Sequence, residues 1–262
     1  MYPILFTIGD FAVPSYHVVL SLLSIVALVW ALFRANKFNL DRGRALDMIF
    51  LSLVGGFLGA RLFHVIFEYP EYYAEDPMRV FEVWRGGFVF YGGGITGFLL
   101  AYIYCRIQKV DYLKYMDRLM FIGIAMYGLG RIACLLAGCC HGAECELPWA
   151  IQYPKGVEAP HGVGLHPTPI YASLWAFMNL LFLKLIETKN SFLKIDLTKS
   201  GSIFCLAMLV HAVGRIVMES FRADFRGDAL MQISLSTWIS LLLIAFFLGF
   251  LGKIQKDTRI LK

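Results

Sequence analysis

The amino-acid sequence predicts an all-α, polytopic integral membrane protein with seven transmembrane helices, its N-terminus outside and its C-terminus in the cytoplasm. Three observations lead to this prediction: the composition, a series of long apolar runs, and the placement of basic residues between them. The 262 residues are 58% apolar and 16% charged, with a mean hydropathy of +0.65. Soluble domains are about half apolar and a quarter charged, so this chain has too few charges for a water-exposed surface. Its 15% aromatic residues and low charge density exclude intrinsic disorder.

Seven apolar runs approach the length of a membrane-spanning helix. They cover residues 16–33, 45–67, 88–107, 119–137, 170–183, 202–221 and 235–251, of which the fifth is the shortest. No basic residue precedes the first run, which argues against a cleavable signal peptide. Because no internal repeat or linker separates the runs, we expect one transmembrane domain over residues 1–262. Its extracytoplasmic loop segments are predicted at about 68–87 and 138–168.

Basic residues between the runs predict the orientation. The first, third and fifth loops and the C-terminal tail carry four lysines or arginines each, sixteen in total. The alternate segments carry five in total. Since positive residues are retained in the cytoplasm, the richer set marks the inner side. The net charge of +5 comes from short separated clusters, so nucleic acid is not an expected partner.

Three arginines, Arg61, Arg131 and Arg215, lie inside the apolar runs, each in the predicted outer half. An arginine near the bilayer centre costs about 2.5–3.5 kcal/mol to insert. Snorkelling, or a pair such as Arg215 with Glu219 four residues later, would explain any one of them. Three at one depth indicate a polar site facing the outer leaflet. Guanidinium groups suit phosphate oxygens, so we expect this site to bind a phospholipid headgroup.

Other segments with unusual chemistry reach the same predicted depth. Tyr16 opens the first run, and Tyr91 begins the third, followed by Gly92 and Gly93. These glycines permit close approach of a ligand or of a neighbouring helix, and on their own they favour helix packing. His166-Pro-Thr-Pro-Ile-Tyr171 interrupts the helix that enters the fifth run. A histidine or tyrosine here would accept a proton from a nucleophile while arginines stabilise a phosphate leaving group.

Four cysteines cluster at the end of the fourth run and just after it, with His141 among them: Cys134, Cys139, Cys140 and Cys145. Their spacing is a weak match to metal-binding motifs. Cys134 is expected to pack in a helix. A disulfide between Cys139 or Cys140 and Cys145 would suit an oxidising outer face. We therefore predict neither a metal nor a cofactor.

Five segments, in order along nearly the whole chain, carry a resemblance to a known family. They are Ile8-Gly9 with Tyr16, Gly59-Ala-Arg-Leu62 through Val83-Trp-Arg-Gly-Gly87, Gly130-Arg131 with Gly138 to Gly142, His166-Pro-Thr-Pro-Ile-Tyr171, and Glu219-Ser-Phe-Arg222 with Asp224. Together they resemble the motifs of the prolipoprotein diacylglyceryl transferases, enzymes of the bacterial inner membrane.

The resemblance implies transfer of the diacylglyceryl group of phosphatidylglycerol to the lipobox cysteine of a preprolipoprotein signal peptide. A thioether forms and glycerol 1-phosphate is released, without metal or cofactor, at the outer leaflet of the inner membrane. The resemblance assigns the two essential arginines of the family to Arg131 and Arg222. It assigns the first-span tyrosine to Tyr16 and the signature glycine to Gly142.

The sequence also departs from the family pattern. The family histidine that has been considered a base is Tyr91 here, and two asparagines and an acidic residue of the signature region are Cys134, Ala137 and Cys139. A tyrosine, with a pKa of about 10, is a poor base at neutral pH unless strongly perturbed. The group that deprotonates the acceptor thiol therefore stays open, the candidates being His166, His141, Glu219, Tyr91 and the substrate itself.

Three other functions compete with this interpretation. One is a family relative with an altered lipid or acceptor. Another is a membrane transporter or lipid flippase, but such a path should place polar residues in both leaflets, whereas those in the runs cluster mostly in the outer half. A retinal-binding receptor needs a lysine in the last run, and residues 235–251 contain none.

Overall fold

A computed structural model describes residues 1–9, 11–188, 195–222 and 234–256, and it is predominantly helical. Six helices are long and apolar enough to cross a membrane: Ser15–Lys37, Arg42–Glu68, Tyr112–Ala137, Thr168–Thr188, Ser202–Glu219 and Ser236–Lys256. The predicted all-α, multi-pass membrane protein is thereby confirmed. The third predicted run also forms a helix, Phe90–Ile107, but that helix does not belong to this set of six.

Eight α-helices follow one another through the described residues. They are α1 (Ser15–Lys37), α2 (Arg42–Phe63), α3 (Pro70–Glu75), α4 (Phe90–Ile107), α5 (Tyr112–Ala137), α6 (Thr168–Thr188), α7 (Ser202–Glu219) and α8 (Leu235–Lys256). A hairpin of β1 (Ile4–Ile8) and β2 (Phe11–Pro14) precedes α1. Each of the seven predicted runs therefore lies on one long helix, with shifts of a few residues at the ends. The second run ends in a π-helical turn, His64–Glu68.

Residues 28–119 form one compact unit, in which α2 and α4 pack closely. A Cβ atom on Gly59 would lie 2.6 Å from the carbonyl oxygen of Gly92, and one on Gly93 would lie 2.6 Å from that of Gly56. Larger residues would therefore force the two helices apart. This contact explains Gly92 and Gly93 by helix packing, the interpretation that they favour on their own.

The described residues within 1–27 and 120–262 form the second compact unit. Here α6 is joined to α7 by two side-chain hydrogen bonds to backbone: Trp175 Nε1 donates to Val210 O at 2.9 Å, and Asn179 Nδ2 donates to Ala207 O at 3.1 Å. In a low-dielectric surrounding such bonds satisfy backbone groups and fix helix register. The helices α7 and α8 also pack together.

The segment between α5 and α6 folds onto itself rather than extending. Its strands β3 (Ile151–Gln152) and β4 (Gly164–Leu165) pair antiparallel. A small core of Tyr153, Ala159 and Leu165 is buried beside them. This local core gives the polar loop a fixed shape, which allows it to position functional side chains.

Candidate active site

Three segments that are distant in sequence meet at Gly142. Its backbone N donates to His166 O at 3.0 Å, Ala143 N donates to Phe221 O at 2.9 Å, and the backbone of Gly142 pairs with that of Arg222. A Cβ atom on Gly142 would lie 2.5 Å from both His166 Cβ and Phe221 O. Only glycine fits between the loop, the entry to α6 and the exit of α7. The structure thus brings together three positions that the sequence singled out separately.

Arg131 lies on the last turns of α5, two turns before the helix ends at Ala137. Its guanidinium carbon is 4.6 Å from the centre of the Tyr127 ring, a cation–π contact. Its Nη1 lies 3.9 Å from the Sγ atoms of Cys134 and Cys140. The Tyr16 phenol is close enough to interact electrostatically with Arg131, and Arg222 interacts in the same way with Cys140. Both arginines of the resemblance therefore flank one group of thiols.

The group consists of Cys134, Cys139 and Cys140, whose Sγ atoms all lie within 4.8 Å of one another. Gly138, at φ +73°, ends α5, and Cys140 itself has φ +59°, so the chain turns sharply and returns its thiols towards Cys134. These residues and Cys145 are thiols, not disulfides, in the described structure. The disulfide expected between Cys145 and Cys139 or Cys140 is therefore not formed, since the two thiols face Cys134 instead.

Hydrogen bonding and charge distinguish the loop thiols. The thiols of Cys134 and Cys139 hydrogen-bond to Cys140 and lower its pKa, and the charges of Arg131 and Arg222 lower it further. Hydrogen bonds to its two neighbours raise the pKa of Cys139. Cys140 is therefore the thiol that ionises first. Burial, followed by the neighbouring Cys139, raises the pKa of Tyr153 to about 12.

The two histidines near the junction are held differently. His166 Nδ1 lies 3.2 Å from Tyr171 Oη, and its ring packs on Phe221 with centroids 5.3 Å apart. His141 is buried, with Nδ1 3.0 Å from Gly142 O. Tyr171 belongs to a segment that carries the resemblance, but the sequence predicted no role for it. Its contact with His166 makes it a residue that orients this histidine. His166 is thus oriented directly beside the junction at Gly142.

Arg215 forms the ion pair that helix spacing suggested. Its Nη2 lies 3.2 Å from Glu219 Oε2 and also donates to Ser236 Oγ on α8. The arginine is 6% exposed, so the carboxylate compensates a charge that has little access to water. The expected pair is confirmed, and substrate binding by Arg215 and Glu219 stays a prediction.

In the unit of residues 28–119, Arg61 binds a loop backbone. Its guanidinium donates to the carbonyl oxygens of Val80, Gly86, Gly87, Arg79 and Glu82, at distances of 2.5–3.4 Å. The same loop encloses a cavity of about 140 Å³ lined in part by His64 and Tyr73. Because Arg61 holds so many carbonyls, its position is explained by loop structure, and substrate binding by Arg61 stays a prediction.

Tyr91 and Asp224 are two further positions that the sequence singled out. Tyr91 lies in the first turn of α4, half-buried and edge-on to Phe90 at 5.9 Å between ring centres. Asp224, the last residue of the resemblance, lies outside the described residues. The gathering of three thiols beside Arg131 was missed from the sequence. Its signal was the pair of adjacent cysteines directly after Gly138, the glycine that ends the helix.

Comparison with known proteins identifies the family. The family model for prolipoprotein diacylglyceryl transferase matches residues 3–252. The phosphatidylglycerol–prolipoprotein diacylglyceryl transferase of Clostridium tetani is 31% identical over 259 residues, which are 98% of this chain and 100% of the relative. Transferase 2 of Clostridium perfringens is 32% identical over 232 residues, 88% of this chain and 86% of the relative. By a family match over nearly its whole length, this chain belongs to the prolipoprotein diacylglyceryl transferase family.

Proposed function

We propose that this protein transfers the diacylglyceryl group of phosphatidylglycerol to the lipobox cysteine thiol of preprolipoproteins. The product is a thioether, glycerol 1-phosphate is released, and the reaction begins lipoprotein maturation. The observation that carries the proposal is the convergence at Gly142. There the segment that follows Arg131 pairs with the backbone of Arg222 and with that of His166.

The proposed protein is a single domain in the bacterial inner membrane, with α4 as its seventh span and its active site facing the outer leaflet. The 18-residue length of α4 supports this span. Sixteen basic residues in alternate segments support an N-terminus outside and a cytoplasmic C-terminus. In this orientation Gly142, Arg222 and His166 lie at the outer side, where an extracytoplasmic signal peptide would enter.

Arg131 and Arg222 bind the lipid phosphate in the proposed reaction. The acceptor thiolate attacks the glyceryl carbon, the C–S bond forms, and the C–O bond to phosphate breaks. Its electron pair remains on the phosphate oxygen of glycerol 1-phosphate, where two guanidinium groups stabilise the added charge. Gly142 holds Arg222 by backbone pairing, so a fixed loop geometry sets the position of one of the two charges.

Remaining residues have supporting roles in the proposal. His166 and Tyr91 are proposed to shape or polarise the site, and the contact of His166 with Tyr171 orients the His166 ring. Tyr16 interacts with the field of Arg131 and is proposed to contact the lipid headgroup. Arg61, Gly92, Gly93, Arg215 and Glu219 are the remaining proposed substrate-binding residues.

The test is transfer of labelled diacylglyceryl from phosphatidylglycerol to a lipobox peptide in proteoliposomes. Arg131→Ala and Arg222→Ala should each lose about 10²–10³-fold of activity, as expected when a stabilising donor is removed. Arg106→Ala, at an exposed position on α4, is the matched control and should retain it. No transfer by the wild type to any of several lipobox peptides, beside a working relative, would reject the function. Transfer from another phospholipid only would instead indicate a relative with altered lipid.

A further inference from the structure

The three thiols beside Arg131 constitute a site that the family's chemistry does not explain. We propose that Cys134, Cys139 and Cys140 bind one Zn²⁺ ion, whose open fourth position receives the acceptor thiol. The inference rests on the proposed function for its second part, the acceptor, but not for its first, the metal. It departs from the metal-free reaction that the family resemblance implies.

The spacing of the sulfur atoms fits a zinc ion after small rotations. A Zn–S bond of about 2.3 Å places the sulfurs of a tetrahedral site about 3.8 Å apart. The three Sγ atoms already lie within 4.8 Å of one another. Cys134 is on α5, whereas Cys139 and Cys140 are in the turn after Gly138, so metal binding would require rotation about their Cα–Cβ bonds to close the remaining gap.

The backbone at this turn is held in a conformation that L-residues seldom adopt. Cys140 has φ +59°, a left-handed conformation that costs a non-glycine residue roughly 1–3 kcal/mol. Thr168 Oγ1 donates to the carbonyl oxygen of Cys140 and Ala159 N donates to that of Gly138, which holds the turn in place. A strained turn retained by several contacts is typical of positions that present side chains to a ligand.

Charge also favours a metal at this position. Zn²⁺ with three thiolates carries a net charge of −1, and the Arg131 guanidinium lies 3.9 Å from two of the sulfur atoms. The ion, its ligands and this arginine would together be neutral, which suits a half-buried site. N–H donors directed at ligand sulfurs are the usual outer contacts of a zinc–thiolate site.

The ligand count predicts a catalytic rather than a structural zinc site. Among the described residues, the cluster holds three ligating side chains and no fourth histidine, cysteine or carboxylate. His141, the residue after Cys140, is not part of the cluster, and its Nδ1 lies 3.0 Å from Gly142 O instead. Structural zinc sites are closed by four protein ligands, whereas catalytic sites keep one position for water or substrate.

An acceptor thiol in that position would lose its proton to water as it binds the metal. The zinc-bound thiolate then attacks the glyceryl carbon, and the C–O electron pair leaves with glycerol 1-phosphate; nothing is oxidised or reduced. This step supplies an activated thiolate without a general base. It therefore offers a physical reason why the family histidine can be replaced by Tyr91.

The first experiment measures metal in the full-length protein, purified anaerobically with a thiol reductant. We expect about one Zn²⁺ per chain, and Co²⁺ exchanged into the site should show thiolate-to-cobalt charge-transfer absorption. Cys134→Ser, Cys139→Ser and Cys140→Ser should each lower zinc occupancy at least about tenfold. Cys145→Ser is the matched control, because that thiol is outside the cluster, and it should keep the metal.

Circular dichroism and gel filtration establish that each variant is folded. Metal content no higher in the wild type than in a folded Cys139→Ser protein would overturn the site. Another metal at one per chain would overturn the assignment to zinc. Loss of two titratable thiols without bound metal would indicate a disulfide instead and also overturn it.

The second experiment separates the metal from the proposed function. Adding a lipobox peptide to the cobalt form should increase the charge-transfer absorption, as a fourth sulfur binds, and a Cys→Ser peptide should not. Transfer should fall at least tenfold after chelation and return with Zn²⁺. Transfer that persists in the metal-free protein would overturn the activating role. Zinc bound to a protein that has no transferase activity would support the metal site and reject the binding of an acceptor thiol at its open position.

Discussion

Replacing Gly142 with alanine would test whether the meeting of three segments organises the active site. The added methyl group would lie 2.5 Å from Phe221 O, 2.5 Å from His166 Cβ and 2.8 Å from His166 O. Ordinary contacts for such an atom begin at 3.4 Å. Because two of the three neighbours are backbone oxygens, no side-chain rotation relieves the contact, and the segments must separate by about 1 Å.

The expected loss of stability follows from the bonds at the junction. The hydrogen bonds from Gly142 N to His166 O, at 3.0 Å, and from Ala143 N to Phe221 O, at 2.9 Å, would lengthen beyond bonding distance. Each contributes about 1 kcal/mol, and overpacking costs about 1–3 kcal/mol. We expect a loss of about 3–5 kcal/mol. Displacement of Arg222 by about 1 Å should lower kcat/KM by about 100-fold.

Thermal unfolding in detergent and transfer to a lipobox peptide measure the two effects. Gly249→Ala is the control, since a Cβ atom there meets nothing within 4 Å and alanine favours a helix by up to about 1 kcal/mol. It should be neutral or slightly stabilising. A Gly142→Ala protein with the unfolding temperature and kcat/KM of the wild type would refute the idea that this junction positions Arg222.

The other predictions concern the remaining charged and aromatic groups. Glu219→Gln should lower the free energy of unfolding by about 3–5 kcal/mol, because it leaves the buried Arg215 charge without its carboxylate. Calorimetry of the double variant Glu219→Leu with Arg215→Met tests this reason, since removing both charges should restore the stability. Arg61→Met should lower the free energy of unfolding by about 2–5 kcal/mol, because several backbone carbonyl oxygens lose their donor, and thermal unfolding that matches the wild type would contradict this. Full transferase activity of Tyr91→Phe at every pH would exclude the phenol as the base, and we expect less than a threefold loss if zinc activates the thiol.

Hydropathy predicted each long helix because a membrane span needs a long apolar run, whatever its neighbours. Helix periodicity likewise predicted the pair of Arg215 and Glu219, which are one turn apart. Neither rule reaches the junction at Gly142, whose partners His166 and Arg222 belong to other segments. Backbone pairing between loops depends on how helices end and on local turns. These features leave no periodic pattern in a single sequence, so neither hydropathy nor helix spacing predicts them.

The turn after α5 illustrates the same limit on a smaller scale. Cys139 and Cys140 lie close to Cys145 in the sequence, and this proximity led us to expect a disulfide on the outer face. In the structure, Gly138 at φ +73° and Cys140 at φ +59° reverse the chain and direct both thiols to Cys134. The sequence marked Gly138 as a glycine of the family signature, but the direction in which the chain turns depends on contacts such as that of Thr168 with Cys140.

Three arginines at one predicted depth were equivalent in the sequence, and their partners now distinguish them. Arg61 donates to several backbone carbonyl oxygens, and Arg215 is paired with a carboxylate; both partners are strong acceptors that stay in place. Arg131 instead contacts two sulfur atoms at 3.9 Å and the face of an aromatic ring. Predicted depth locates an arginine in the bilayer, but its contacts in the fold show what it holds: Arg61 holds a loop backbone and Arg215 holds a carboxylate.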